Sequence, residues 1–237
     1  MRILKTLLFN LLLLSVCCFE SVAQERDTLS MEQDSLYIAP LDTVRSHKVV
    51  YPEHLIGLRY SYCITGVGTN IDMDQKGYNS PVNIELLYTY YHPLWGYIGC
   101  FGLQTGIRYT KFGFTSENNI PNFFENVTTL QLPVLSAFHF DIGKRLRIFA
   151  NIGPYIGYRL STTKEKGWDC FDKRFEYGIE GLGGIGLRFG RFEIHLGAGY
   201  QYCFGFLFDP EKFSSASWIY THPHSLNLSC GLHYKLK

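Results

Sequence analysis

From Leu55 to the C-terminus the hydrophobic pattern repeats every two residues, the period of a β-strand. The longest clean case runs from Phe192 to Phe206. Phe192, Ile194, Leu196, Ala198, Tyr200, Tyr202, Phe204 and Phe206 fall on one face; Glu193, His195, Gly197, Gly199, Gln201, Cys203 and Gly205 fall on the other. Arg147 to Leu160 repeats it, with Ile148, Ala150, Ile152, Pro154, Ile156, Tyr158 and Leu160 opposite Arg147, Phe149, Asn151, Gly153, Tyr155, Gly157 and Arg159. Six further segments alternate in the same way, centred on Leu58, Leu86, Ile107, Leu132, Ile185 and Leu228. In each, one face is bulky and apolar while the other is rich in glycine, with scattered charge.

Composition narrows the class. Aromatic residues make up 16% of the 237 and charged residues only 18%, against about a quarter charged in an ordinary soluble domain. Beyond the first two dozen residues no apolar run reaches the ~18 needed for a membrane helix. The Tyr, Phe and Leu content excludes disorder. A net charge of +1 offers no basic surface, so nucleic acid is not expected as a partner.

The N-terminus reads as an address. Arg2 and Lys5 precede an apolar stretch from Leu7 to Phe19, and Ser21-Val22-Ala23 supplies small residues before Gln24. That is the three-part pattern of a secretory signal peptide over residues 1–23. An uncleaved anchor, or lipoprotein processing at Leu14-Ser15-Val16-Cys17, are the alternatives. Cleavage after Ala23 removes Arg2, Lys5 and Glu20 and leaves 20 basic and 20 acidic residues. Residues 24–52 are polar and aperiodic, a flexible periplasmic extension ahead of one domain at 53–237. Five cysteines remain (Cys63, Cys100, Cys170, Cys203 and Cys230), an odd number without metal-ligand spacing or a disulfide framework.

The links alternate in length. Tight links are expected at His92–Leu94, Asp141–Lys144 and Gly190-Arg191; long polar ones at Thr65–Ser80, Gly113–Asn126, Ser161–Arg174 and Leu207–His222. Short turns on one side and long loops on the other mark an up-and-down transmembrane barrel. A soluble barrel or sandwich would point its bulky face inward. A small barrel has little interior room, so glycine and paired charge belong inside and the bulky face meets lipid. Aromatics at segment ends (Tyr90, Tyr91, Trp95, Tyr97; Tyr109, Phe112, Phe114; Phe189, Phe192; Phe206, Phe208) suit interfacial girdles. The expectation is an all-β, eight-stranded antiparallel up-and-down transmembrane β-barrel, integral to a bacterial outer membrane, with outer-membrane lipid and unidentified envelope proteins as partners.

The stretches Leu130-Gln131-Leu132-Pro133-Val134-Leu135, Gly153-Pro154-Tyr155-Ile156-Gly157-Tyr158 and Tyr177 to Gly186 carry a resemblance over about residues 53–237. The chain resembles the PorT-like outer-membrane β-barrel family of Bacteroidetes-type bacteria. The resemblance implies a barrel protein; the founding member's association with a protein secretion system is not carried by these architectural motifs. The chain ends Tyr234-Lys235-Leu236-Lys237 rather than on the terminal aromatic residue such barrels often show.

Candidate functional residues fall into two groups. Arg59, Glu85, Arg108, Arg147, Arg159, Glu176, Glu180, Arg188, Glu193 and His195, with Lys235, share the glycine-rich face and are expected to form a polar network in the lumen. Isolated charges there would be costly, so they should pair or be hydrated. The network reads as a plug, or alternatively as a narrow polar channel. The second group, Asp209, Glu211, Ser214, Ser215, Ser217, His222 and His224, lies in the last long link and contains the residue types of a hydrolase triad, without a nucleophile-elbow motif. Gly181 to Gly186 lacks the Lys-Ser/Thr of a phosphate loop. No catalytic, metal or cofactor site is expected, and the reading is a non-enzymatic scaffold, accessory or surface-interaction protein, with a rim hydrolase acting on lipid or peptide as the alternative.

Overall fold

The structure is a computed structural model that describes residues 52–70, 75–80, 82–94, 98–116, 125–163, 167–211 and 218–236. The expected signal peptide and nearly all of the N-terminal extension lie outside the described residues, as do Trp95, Tyr97, Ser214, Ser215 and Ser217.

Nine strand segments are described: β1 (Glu53–Thr69), β2 (Gln75–Ser80), β3 (Asn83–Leu94), β4 (Ile98–Ser116), β5 (Glu125–Ile142), β6 (Leu146–Thr162), β7 (Phe175–Phe189), β8 (Phe192–Cys203) and β9 (Thr221–Lys235). All pairings are antiparallel, and β1 closes on β9 from Leu55↔Lys235 to Thr69↔Thr221. β2 and β3 are two lengths of one stave. β1 pairs first with β3, up to Tyr60↔Ile84, and then with β2, from Cys63↔Ser80. β4 likewise passes from β3 at Asn83↔Thr110 to β2 at Gly77↔Phe114. The sequence at the break is Pro81, a residue with no amide proton to give a ladder. The result is a closed eight-stranded barrel.

The strands reach further at the loop end than the apolar pattern indicates. Gln75–Ser80 is strand, although expected as link, and β9 begins at Thr221 rather than Leu226. These lengths carry Gln, Lys, Asn, Ser and His without apolar alternation; there the backbone ladder, with Thr65 Oγ1 donating to the carbonyls of Tyr78 and Gly113, holds the wall together. At the other end His92–Leu94, expected as the first tight link, belong to β3, and β4 begins at Ile98. The turns after β5 and β7 stand where expected, and Gly143 and Gly190, each at φ 65°, take the left-handed conformation that glycine adopts at no steric cost.

The two faces separate cleanly. Leu58, Leu86 and Ile107 are 57%, 56% and 55% exposed, and Leu132, Ile152, Ile185, Leu196 and Leu228 continue the band around the wall. Phe138, Phe140, Phe189, Phe192 and Tyr234 border it at the turn end; Tyr109, Tyr158, Phe175, Tyr177 and Tyr200 border it at the loop end. From Phe192 to Tyr200 the chain climbs roughly 26 Å along β8, or about 20 Å along the axis at a tilt near 40°. That approaches the ~25 Å apolar band of outer-membrane barrels.

The interior is not purely glycine and charge. Leu55, Tyr91 and Ala137 form a buried apolar layer at the turn end. Val67, Val127, Leu207 and Phe208, with Phe112 and Trp168 packed against them, form another at the loop end. Leu207 and Phe208, in the segment after β8, close the mouth of the barrel. Leu207 donates its amide to Thr221 O, Asp209 donates to Phe171 O, and Phe208 makes an isolated bridge to Asp172.

The outward assignment of Leu196 has a direct consequence. Leu196→Arg places a charge near the bilayer midplane and is expected to destabilise the folded barrel by roughly 2–4 kcal/mol, whereas Leu196→Val should cost about 1 kcal/mol or less. Urea unfolding in lipid vesicles measures both.

Candidate functional site

Between the two apolar layers lies a band of buried charge. Its first arc follows the ladder around the wall. Arg59 stands across from Glu85, Glu85 across from Arg108, and Arg108 across from Gln131. Strands so paired bring side chains of one face within about 5.5 Å at Cβ, so the register itself assembles the chain of contacts. Arg59 donates Nε and Nη2 to Glu85 Oε2 at 3.0 and 2.6 Å. Arg108 donates Nε to the same oxygen at 3.1 Å and Nη1 to Gln131 Oε1 at 3.3 Å.

Arg108 then spans the lumen. Its two terminal nitrogens reach both carboxylate oxygens of Glu180 on β7, with Nη2 donating to Oε1 at 2.7 Å. Such two-pronged arginine–carboxylate pairs are the stronger, geometrically specific kind. Gln131 donates Nε2 to Glu176 Oε1 at 2.6 Å, and Arg159 donates Nε to Glu176 Oε2 at 3.3 Å. Arg159 also donates to the carbonyls of Lys173, Phe206 and Leu207. The charged band is thereby tied to the segment that closes the mouth.

A second cluster sits nearer the turns. Arg147, 0% exposed, donates to Asp141 at 2.7 Å, to Glu53 at 3.2 Å and to Glu193 at 3.3 Å. Glu53 accepts from Lys235 at 2.6 Å, and Arg188 donates to Asp141 at 2.8 Å. His195 lies 3.1 Å from Glu193, and its ring stacks on Phe149 and packs against His233 at 4.1 Å between centroids. His233 fits there because the wall opposite is Gly57; a Cβ at that position would lie 2.3 Å from His233 Nδ1.

Of the ten residues expected in the lumen, nine are buried inside it; Arg188 is half-buried at its turn end. Arg59, Arg108, Arg147 and Arg159 are matched in number by Glu85, Glu176, Glu180 and Glu193. Around them stand Glu53, Asp141, Gln104, Gln131, Asn151, His139 and His233, which the sequence reading left out of the candidate set. Glu53 and Gln131 share the parity of the inward residues on β1 and β5, so strand phase could have found them. Asp141 was read as part of a turn, although it ends β5. Asn151 donates to Gln104 at 2.9 Å and Gln104 to Thr89 at 2.8 Å, a short polar crossing of its own.

Among the described residues the rim candidates Asp209, Glu211, His222 and His224 are not brought together. His222 and His224 belong to β9 rather than to a loop. They lie on the outward parity, His222 stacked on Tyr202 and His224 on Tyr200. Asp209 is engaged by Lys173 at 2.7 Å. That bond, with the amide of Glu211, holds the Asp209 carboxyl below the usual carboxylate range. Among the described residues no cluster of His, Cys, Asp and Glu could hold a metal, and the five cysteines are free.

The described residues line small interior spaces of about 30 and 20 Å³, each room for a water or two. A closed antiparallel wall with an apolar band outside and neutralised charge inside has only one solvent that suits it. The chain is an integral outer-membrane β-barrel. The barrel matches Neisserial surface protein A with a TM-score of 0.51 at 10% identity, over 77% of this chain and 97% of that one. Lower similarity is found to OprG of Pseudomonas aeruginosa (TM-score 0.45, 10% identity, 78% and 96% covered). It is also found to Ail, the attachment invasion locus protein of Yersinia pestis, in complex with the heparin analogue sucrose octasulfate (0.42, 14%, 78% and 100%). The first of these supports the fold and nothing beyond it. No family model and no curated protein matches the chain.

Removing one member of the central band should expose its cost. Arg108→Met leaves Glu180 buried without its guanidinium and is expected to destabilise the barrel by about 3–5 kcal/mol. Adding Glu180→Gln to Arg108→Met should restore part of that loss, since it neutralises the orphaned carboxylate. Unfolding midpoints of the two variants in vesicles test this.

Proposed function

We propose that the barrel is a sealed, non-enzymatic component of the outer membrane, a scaffold or accessory that presents its loop end to a protein partner in the envelope or at the cell surface. The observation that carries this reading is the occupied lumen. Four arginines and four glutamates pair within it, and Leu207 and Phe208 are buried at its loop end. An eight-stranded barrel is just wide enough to be filled by side chains, and these side chains fill it. The polar network then acts as a structural plug that fixes barrel shape, not as a conducting path.

The non-enzymatic reading is supported by the rim. His222 and His224 point outward among tyrosines, and Asp209 is committed to Lys173. The PorT-like resemblance of Leu130–Leu135, Gly153–Tyr158 and Tyr177–Gly186 implies a barrel protein and leaves the role to the filled lumen and the rim. In this reading residues 1–23 direct export and are removed, residues 24–52 extend into the periplasm, the tight turns face the periplasm and the long links face outward.

The plug has a clear electrical signature. The purified barrel in a planar lipid bilayer is expected to show no sustained conductance steps. A stable open level would favour the narrow-channel reading instead.

A further inference from the structure

The outer wall carries an apolar groove of about 310 Å³ near its loop-end girdle. Ile107 of β4, Leu130 and Leu132 of β5, Ile156 and Tyr158 of β6 and Phe175 of β7 line it. It lies on the loop side of Pro133 and Pro154, one residue out of register across β5 and β6, Pro133 on the inner face and Pro154 on the outer. Prolines cannot donate to a ladder. The β4–β5 register passes from Thr105↔Val134 directly to Arg108↔Gln131, and the β5–β6 register from Pro133↔Tyr155 to Ser136↔Ile152, both without a slip. The depression is thus a feature of the wall's own sequence.

Above the groove stands Arg174, exposed, at the residue before β7. Its guanidinium lies over the Tyr158 ring at 4.8 Å and over the Trp168 ring at 5.3 Å. Tyr158 therefore belongs to both features, lining the groove and bearing the cation. The nearby acids are occupied elsewhere. Asp172 accepts the Asp169 amide at 2.9 Å, Asp209 pairs with Lys173, and Glu176 faces inward to Arg159. Among the described residues Arg174 has no carboxylate partner, and it sits at the height where the apolar band gives way to headgroups.

We propose that this groove and Arg174 form a binding site for an anionic lipid, one acyl chain lying against Leu130, Leu132 and Ile156 and the phosphate on the Arg174 guanidinium. The proposal rests on the membrane-barrel reading and adds a preferred lipid at one place on the wall. Charge complementarity selects the occupant. A guanidinium seated over aromatic rings, with no carboxylate partner among the described residues, can offer its nitrogens to a phosphate, the recognition in which arginine outperforms lysine. The groove beneath is apolar enough for a hydrocarbon chain and for little else, since the surrounding wall is lipid-covered.

The test reconstitutes the full mature chain in nanodiscs of phosphatidylcholine with a minor fraction of phosphatidylglycerol, and reads retained lipid by native mass spectrometry after release. Folding of every variant is checked by its heat-modifiable electrophoretic shift. The wild-type barrel is expected to retain phosphatidylglycerol over phosphatidylcholine by about tenfold, the worth of one charge-assisted hydrogen bond. Arg174→Gln should abolish that preference, and Leu132→Trp, which fills the groove, should reduce retention of both lipids. Arg191→Gln, which removes an exposed cation at the turn end, should leave the preference unchanged. A folded, inserted wild type with no preference overturns the site while leaving the barrel intact. So does an Arg191→Gln variant that loses the preference as fully as Arg174→Gln. A chain that fails to insert at all would remove the membrane-barrel reading and the site with it.

Discussion

In hydrocarbon an unpaired backbone amide or carbonyl costs several kcal/mol, so a sheet can cross a membrane only if it has no edge. The β1–β9 ladder, continuous from Leu55↔Lys235 to Thr69↔Thr221, removes the edge here. Everything else in the molecule follows from that closure. A closed ring of eight staves encloses a narrow lumen, and alternation along each strand sends every second side chain into it. The chain must therefore supply two solvents' worth of chemistry from one period. The outer set is Leu, Ile, Phe and Tyr. The inner set must fill a confined space without leaving charge unpaired.

The inner set meets that requirement in layers. Leu55, Tyr91 and Ala137 lie at the turn end beside the Arg147–Glu193 cluster, the band from Arg59 to Arg159 takes the middle, and Val67, Val127, Leu207 and Phe208 the loop end. Burying this many ions is expensive, and a buried pair gains little net energy over an apolar packing of equal shape. What the band provides is connection. Arg108 links β3, β5 and β7 through Glu85, Gln131 and Glu180, and Arg159 links β7 to the backbone of the closing segment. Opposite walls are cross-braced, and the segment that seals the mouth is held from within.

How much of this was legible in the sequence differs by level. The strand period at Phe192–Phe206 and Arg147–Leu160 specifies both the barrel and the phase of each stave, because a slip of one residue would turn Leu196 inward and His195 into lipid. Phase also placed Arg59, Glu85, Arg108, Arg147, Arg159, Glu176, Glu180, Glu193 and His195 on the inner face. Their partners were not legible. Arg108 meets Glu180 across the lumen, 72 residues away in sequence, a contact that depends on barrel diameter and strand tilt. Strand ends were misjudged where apolar alternation stops but the ladder continues, as at Gln75–Ser80 and Thr221–Ser225. That is why His222 and His224, expected in a loop, are strand residues beside Tyr202 and Tyr200. The inward Leu87 and Leu135 were hidden for another reason: an apolar residue on the polar face breaks the pattern from which the face is read.

The central claim is that the bulky face meets lipid and the glycine-rich face meets a filled lumen. The most direct measurement compares adjacent positions on β8. Single cysteines at 196 and 195, in a background in which Cys63, Cys100, Cys170, Cys203 and Cys230 are each replaced by Ala or Ser, are labelled with a small fluorophore in the barrel reconstituted in vesicles. The label at 196 is expected to be quenched by lipid-borne nitroxides and shielded from aqueous quenchers, while the label at 195 makes no contact with the lipid-borne ones. Equal access of aqueous quenchers to both positions, or quenching by lipid at 195 and not at 196, would contradict the account.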